Sequence, residues 1–138
     1  EETGKKIDGQ ELAFKDISGG KLPGISNWAF STGIEAFTKG KLIGQEGEYF
    51  IGSDVFYRSS FSSSPSPSEY LNIDGYALVN ARLGFRTQKG ITVYVWSRNL
   101  ANVDYFEQLL PASGNAGHFA GVLGDPRTYG ITLRYNLY

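Results

Sequence analysis

Hydrophobic and polar residues alternate with a period of two over much of the chain, most strictly near its end. From Gly124 to Tyr138 a turn signal, Asp125-Pro126, precedes a stretch in which Tyr129, Ile131, Leu133, Tyr135 and Leu137 share one face. Thr128, Gly130, Thr132, Arg134 and Asn136 share the other. Strand side chains alternate in this way, so the stretch predicts a β-strand with one apolar and one polar face. It is roughly twice as long as a common strand of about 5–6 residues. About 9–11 tilted residues carry a strand across a bilayer. Tyrosines at the ends of the apolar face suit the aromatic girdle of a transmembrane barrel. A long edge hairpin in a soluble β-protein would show the same alternation.

Four earlier stretches repeat the pattern. Trp28 to Phe37 places Trp28, Phe30, Thr32, Ile34 and Ala36 on one face, with Ala29, Ser31, Gly33 and Glu35 on the other. Glu48 to Ser59 places Tyr49, Ile51, Ser53, Val55 and Tyr57 opposite Gly52, Asp54 and Arg58, and Phe50 and Phe56 blur its polar side. The height between Tyr49 and Tyr57, at about 3.3 Å per residue and a tilt near ~40°, is roughly 20 Å, close to the apolar band of an outer-membrane barrel. Tyr76 to Arg86 alternates Ala77, Val79, Ala81, Leu83 and Phe85 with Leu78, Asn80, Arg82, Gly84 and Arg86. Ile91 to Asn102 sets Ile91, Val93 and Val95 against Thr92, Tyr94, Trp96 and Arg98.

The connections alternate in length. Residues 1–24 read as loop with a short strand near Glu11–Ile17, and residues 25–138 hold the long strands. Lys39 to Gly47 reads as a glycine-punctuated turn, and Thr87 to Gly90 as a tight hairpin. Ser59–Gly75, with its Ser/Pro-rich run from Ser62 to Ser68, and Val103–Pro126 read as long loops. Short turns at one end and long loops at the other are the layout of outer-membrane barrels. The expected fold is all-β, an antiparallel up-and-down meander of about five long strands, part of a transmembrane β-barrel. Its polar faces carry Glu35, Asp54, Arg58, Asn80, Arg82, Arg86, Arg98 and Arg134, which would line a lumen there and meet bulk water in a soluble sandwich.

Composition narrows the functions. A net charge of −1 on 138 residues gives no basic surface for nucleic acid. There is no cysteine, hence no disulfide and no thiolate chemistry. No apolar run approaches the roughly 18 residues of a transmembrane helix. No signal peptide is visible. No methionine occurs, so the chain is expected to be a processed product or a piece of a longer one. Gly19-Gly20-Lys21 lacks the spacing, the Ser/Thr and the helix of a phosphate loop. Asp16, Asp74, Asp104 and Asp125 are scattered over loops without pairing, no Ser-His-Asp order stands out, and no catalytic residue is expected. His118 has no Cys or carboxylate beside it, so no metal site or cofactor is expected.

Several segments carry a family likeness. Ser97-Arg98-Asn99-Leu100-Ala101-Asn102-Val103-Asp104-Tyr105, on the penultimate long strand, resembles the Asn-Leu-Phe-Asp-x-x-Tyr signature of TonB-dependent outer-membrane receptors. Gly124-Asp125-Pro126-Arg127-Thr128-Tyr129-Gly130 and the residues after it resemble that family's last strand. Leu22-Pro23-Gly24-Ile25-Ser26-Asn27-Trp28 is similar to its Leu-Pro-x-Val-Pro-Lys-aromatic lead into an earlier strand, and Tyr57-Arg58-Ser59 to a recurrent strand end. The likeness runs in order from Leu22 to Leu137. Ala101 and Asn102 depart from the usual Phe-Asp, Ser26 from a proline, and Tyr138 stands one position out of phase with the lipid face.

The resemblance implies the last strands of a barrel of about twenty-two, in the bacterial outer membrane. Such a receptor imports a scarce nutrient such as a ferric siderophore, driven by TonB through an N-terminal part not contained in this stretch. The implied partners are outer-membrane lipid, the rest of the barrel and its plug, TonB and the barrel assembly machinery. The loops Ser59–Gly75 and Val103–Pro126 would face outside. In and beside them Tyr70, Tyr105, Phe106, His118, Phe119 and Arg127 are the ligand candidates, because aromatic and guanidinium groups suit anionic, ring-bearing chelates. The competing expectation is a self-contained soluble β-rich module that binds carbohydrate or protein through Trp28, Tyr94 and Trp96.

Overall fold

The computed structural model describes residues 22–64, 68–112, 114 and 117–136. The loop and short strand expected before Leu22, the prolines at 65 and 67, and the register of Leu137 and Tyr138 lie outside them.

The period-two stretches form one antiparallel sheet. It is built from β1 (Ala29–Leu42), β2 (Gln45–Arg58), β5 (Tyr76–Thr87), β6 (Ile91–Arg98) and β9 (Thr128–Tyr135), in that spatial order. Each strand pairs with the next long strand in sequence, which is the expected meander. The five strands do not close on themselves. Both short connections lie at one end, and both long ones, 59–75 and 99–127, at the other.

The cross-strand register keeps each face uniform. Ile34 lies opposite Ser53, Ser53 opposite Ala81, Ala81 opposite Ser97 and Ser97 opposite Tyr129. The next row on that face runs Ala36, Ile51, Leu83, Val95, Ile131. The other face carries rows such as Lys39, Glu48, Arg86, Thr92, Arg134. One-residue slips would exchange the faces, so the pattern and the register enforce each other.

Two strands are longer and one turn tighter than the glycine pattern predicts. Glycine usually punctuates a strand, yet Gly40 and Gly47 lie inside β1 and β2. Aromatic rings take the space of the missing side chains. The Tyr49 ring covers Gly40, and the Phe85 ring approaches Gly47. The chain turns instead on two residues, Ile43 (φ 49°) and Gly44 (φ 73°). Two positive φ values in a two-residue hairpin match the right-handed strand twist. At the other end, the fourth strand stops at Arg98 rather than near Asn102. Asn99 and Asn102 both take positive φ (49° and 54°), which no strand continues through.

The long loops hold structure that alternation could not reveal. β3 (Phe61–Ser62) and β4 (Asn72–Ile73) form a two-stranded clip joined through a 3-10 turn at Glu69–Leu71. β7 (Phe106–Pro111) and β8 (Phe119–Leu123) form a hairpin with an irregularity between Phe106 and Gln108. Phe61, Leu71 and Ile73 are among the most buried side chains of the molecule, at 2–3% exposure. The Arg58 guanidinium lies 3.6 Å above the Phe61 ring. The same side chain donates to Ser26 Oγ and to the Gly24 carbonyl. The Leu109 amide donates to Ser63 Oγ at 2.9 Å, which ties the second hairpin to the clip. The chief core is therefore a cap at the long-loop end.

Ile43 is the weak point of the short hairpin. It is 94% exposed, so it packs on nothing, and a β-branched residue at positive φ is strained by about 1–2 kcal/mol. Ile43→Asn is expected to raise stability by about 1 kcal/mol, read as a higher midpoint of denaturant unfolding. An unchanged or lower midpoint would contradict the turn geometry.

Candidate functional site

Much of the apolar face of the sheet is exposed, most of all on the edge strands β1 and β9. On the apolar face Ile34 is 76% exposed, Ile131 75%, Leu133 73% and Tyr129 83%. On the polar face Phe50 is buried, and Asp54, Asn80, Arg82, Tyr94, Trp96 and Thr132 are all partly covered. Neither face is uniformly covered: Phe85 on the apolar face is 3% exposed, and Phe37 on the polar face is 68% exposed.

Two hydroxyl residues of the apolar face are satisfied within the sheet. Ser53 Oγ donates to the Asn80 carbonyl at 3.0 Å and Ser97 Oγ to the Thr128 carbonyl at 3.2 Å. Their polar capacity turns back onto backbone rather than outward. Aromatic rings flank the apolar rows. Trp28, Phe30, Tyr57 and Tyr129 lie toward the long-loop end, and Tyr49 and Tyr135 toward the short-turn end. The Tyr49 hydroxyl donates to the Lys41 carbonyl at 2.8 Å, and the Phe30 ring meets Tyr57 at a tilt of 32° with centroids 5.2 Å apart.

An ion cluster sits on the polar face. Arg82 donates through Nε and Nη2 to Glu35 Oε2, at 3.2 and 3.1 Å, and through Nη1 to Asp54 Oδ2 at 2.8 Å. Arg86 lies 3.8 Å from Glu35 and 3.9 Å from Glu48. Glycine makes room for it. A Cβ on Gly52 would stand 2.9 Å from Arg82 Nε, and one on Gly33 2.5 Å from Asp54 Oδ1. Register brings together charges from three strands that lie far apart in the sequence, Arg82 and Glu35 by 47 positions.

The six ligand candidates do not converge on one pocket. Tyr70 and Phe119 meet, their rings stacked at 5.5 Å and 22°, and join the two long loops. Tyr70 is 75% and Phe119 44% exposed, so this pair offers an aromatic surface to solvent. Tyr105 turns the other way. Its ring packs on Tyr76 at 4.4 Å and fills the space above Gly124. Burial, with Glu107 nearby, pushes its phenol above the usual tyrosine range. Phe106 packs its ring over Gly121 within the second hairpin. His118 is exposed, and its carbonyl accepts from the Ala112 amide at 2.9 Å. Arg127 is exposed, with its amide donating to Asn102 Oδ1 at 3.1 Å. Among the described residues, no group of three or more His, Cys, Asp or Glu stands where a metal ion could be held.

Asn99 is the residue that strand reading overlooked. It is 4% exposed at positive φ. Its Nδ2 donates to the carbonyls of Val103 (2.9 Å) and Asp125 (3.1 Å), and its Oδ1 accepts from the Val103 amide at 2.9 Å. Its own amide donates to Asn80 Oδ1 at 3.1 Å. One side chain thus ties together both ends of the loop before β9. Asparagine tolerates the left-handed backbone and supplies both donors and an acceptor.

The chain matches no protein-family model, no curated protein and no solved structure.

Asn99→Ala removes three side-chain hydrogen bonds, each worth about 0.5–1.5 kcal/mol. Amide exchange in β7 and β8 is expected to accelerate by about tenfold or more, while β2 and β5 keep their protection. Unchanged exchange would show that the loop holds without this side chain. Tyr105 provides a pH test. Its raised folded value means its contribution is fully present below the unfolded value of about 10 and is lost as pH rises through the folded value. Absorbance at about 295 nm should show a late titrating phenol that disappears in Tyr105→Phe.

Proposed function

We propose that this chain forms part of the wall of a transmembrane β-barrel in the bacterial outer membrane, as the C-terminal strands of a TonB-dependent receptor. In this reading the receptor imports a scarce nutrient such as a ferric siderophore, energised by TonB through a part of the receptor outside this stretch. The apolar face contacts lipid, the polar face lines the lumen, and the long loops face the exterior. The further strands of the barrel, its plug and the assembly machinery are the partners.

One observation carries the reading: five successive strands gather exposed apolar side chains on one face of the sheet while their charged residues take the other. Exposed apolar patches of this breadth mark a membrane or protein contact. The aromatic rows suit the two interfacial girdles, and the inward hydroxyl bonds suit a solvent that offers none. The ordered segments Leu22–Trp28, Ser97–Tyr105 and Gly124–Leu137 supply the family part of the reading. Among the described residues the outer edges of β1 and β9 have no partner strand, which fits a sheet that continues into further strands, because lipid does not satisfy open backbone groups. A soluble carbohydrate- or protein-binding module would bury Ile34, Ile131 and Leu133 instead.

The stretch has no cysteine, which permits single-cysteine scanning. In cells bearing Ile34→Cys, Ile51→Cys or Ile131→Cys, a membrane-impermeant maleimide is expected to leave the thiol unmodified until the membrane is dissolved. Thr92→Cys and Thr132→Cys, on the polar face, should be the more reactive set once water reaches the lumen. Rapid labelling of all three isoleucine positions in intact membranes would refute the proposal.

A further inference from the structure

A trough runs along the polar face of β5, β6 and β9. Two adjoining clefts, of about 520 and 380 Å³, share Arg82 and Tyr94 as common lining. Both volumes fall in the range of small-molecule sites. Its floor is aromatic. The Trp96 indole lies over Gly130, where a Cβ would stand 2.7 Å from Cζ2, and its Nε1 donates to Thr132 Oγ1 at 3.0 Å. The ring is thereby pinned against the sheet. Tyr94 follows one rung further, packed on Phe50 at 6.2 Å.

The charge of the trough is positive. Four arginines line it against two carboxylates, Glu35 and Asp54, and both of these are engaged by Arg82. Arg98 and Arg134 have no carboxylate partner among the described residues. Arg98 leans over the Trp96 ring at 5.4 Å, with its guanidinium donors still available. Arg134 lies across from Thr92 on β6, so the two unpaired arginines stand at opposite ends of the run from residue 92 to residue 98. That separation is roughly 20 Å at about 3.3 Å per residue.

From this we infer that the trough binds an acidic oligosaccharide, a chain of uronate-type sugars. Pyranose faces stack on Trp96 and Tyr94, and carboxylates pair with Arg98 and Arg134. A single small anion reaches one arginine only. A neutral chain leaves both guanidiniums unused. Repeated rings with repeated carboxylates use the floor and both ends together, and an open trough admits a chain lengthwise. The inference depends on the barrel reading only for placing the trough on an import path. The surface itself belongs to the five-stranded sheet, so binding can fail while the cysteine pattern holds, and the reverse.

The test is a titration of the purified protein, in detergent where it needs one, with an oligogalacturonate long enough to reach both arginines. Tryptophan emission and calorimetry are the readouts, with the fully methyl-esterified oligomer and benzoate as comparators. Saturable binding of the acidic oligomer is expected, with Arg98→Gln and Arg134→Gln each weakening it by about tenfold, the size of one lost charge-assisted hydrogen bond. Both arginines are exposed, so these variants should fold. Arg98→Lys should recover part of the loss. Equal affinity for the esterified oligomer, equal or tighter binding of benzoate, or unaltered binding in both glutamine variants would overturn the inference.

Discussion

Everything in this fold depends on where the sheet puts its apolar face. In water, the surface formed by Ile34, Ile51, Leu83, Val95, Ile131 and Leu133 would have to be covered, at a gain of about 25 cal/mol for each Å² removed from water. No described residue covers these six side chains. The loops that could have folded back pack on one another at one end, around Phe61, Leu71 and Ile73. Within the sheet, Phe85 packs against Tyr49 on the apolar face, and on the other face Phe50 is 5% exposed and Arg82 is held between two carboxylates. In the barrel proposed above, a lipid environment would remove the conflict, because the apolar face would then have a solvent of its own kind.

The polar face is ordered by pairing large residues with glycine. Trp96 lies over Gly130, Arg82 over Gly52 and the Asp54 carboxylate over Gly33. Each large group lies flat because its cross-strand neighbour has no side chain. The face therefore carries charge and aromatic surface without crowding. The same device acts at the hairpin, where Tyr49 covers Gly40. Glycine in these strands supplies space rather than a break.

Alternation made the sheet legible. All five long strands, the division of Tyr49 and Tyr57 from Asp54 and Arg58, and the placing of short and long connections can be read from residue pattern alone. The small strands could not be read. A pair of two-residue strands such as Phe61–Ser62 and Asn72–Ile73 shows no period, and Phe119–Leu123 has no polar residue with which to alternate. Strand ends failed where backbone conformation overrode pattern, at Asn99 and at Ile43-Gly44. Of the six loop candidates, only Tyr70 and Phe119 join each other, since such contacts depend on how two loops cross. The cluster of Glu35, Asp54 and Arg82 depends on register across three strands, which a single sequence does not state.

The two tryptophans stand on opposite faces, Trp28 beside the apolar rows and Trp96 on the polar side. Quenching by lipids brominated near the headgroup therefore asks directly which face meets the bilayer. The protein would be reconstituted with Trp96→Phe in one sample and Trp28→Phe in the other. A lipid-facing apolar surface requires strong quenching of Trp28 and weak quenching of Trp96. Equal quenching of both, or stronger quenching of Trp96, would show that the sheet does not present its apolar face to lipid.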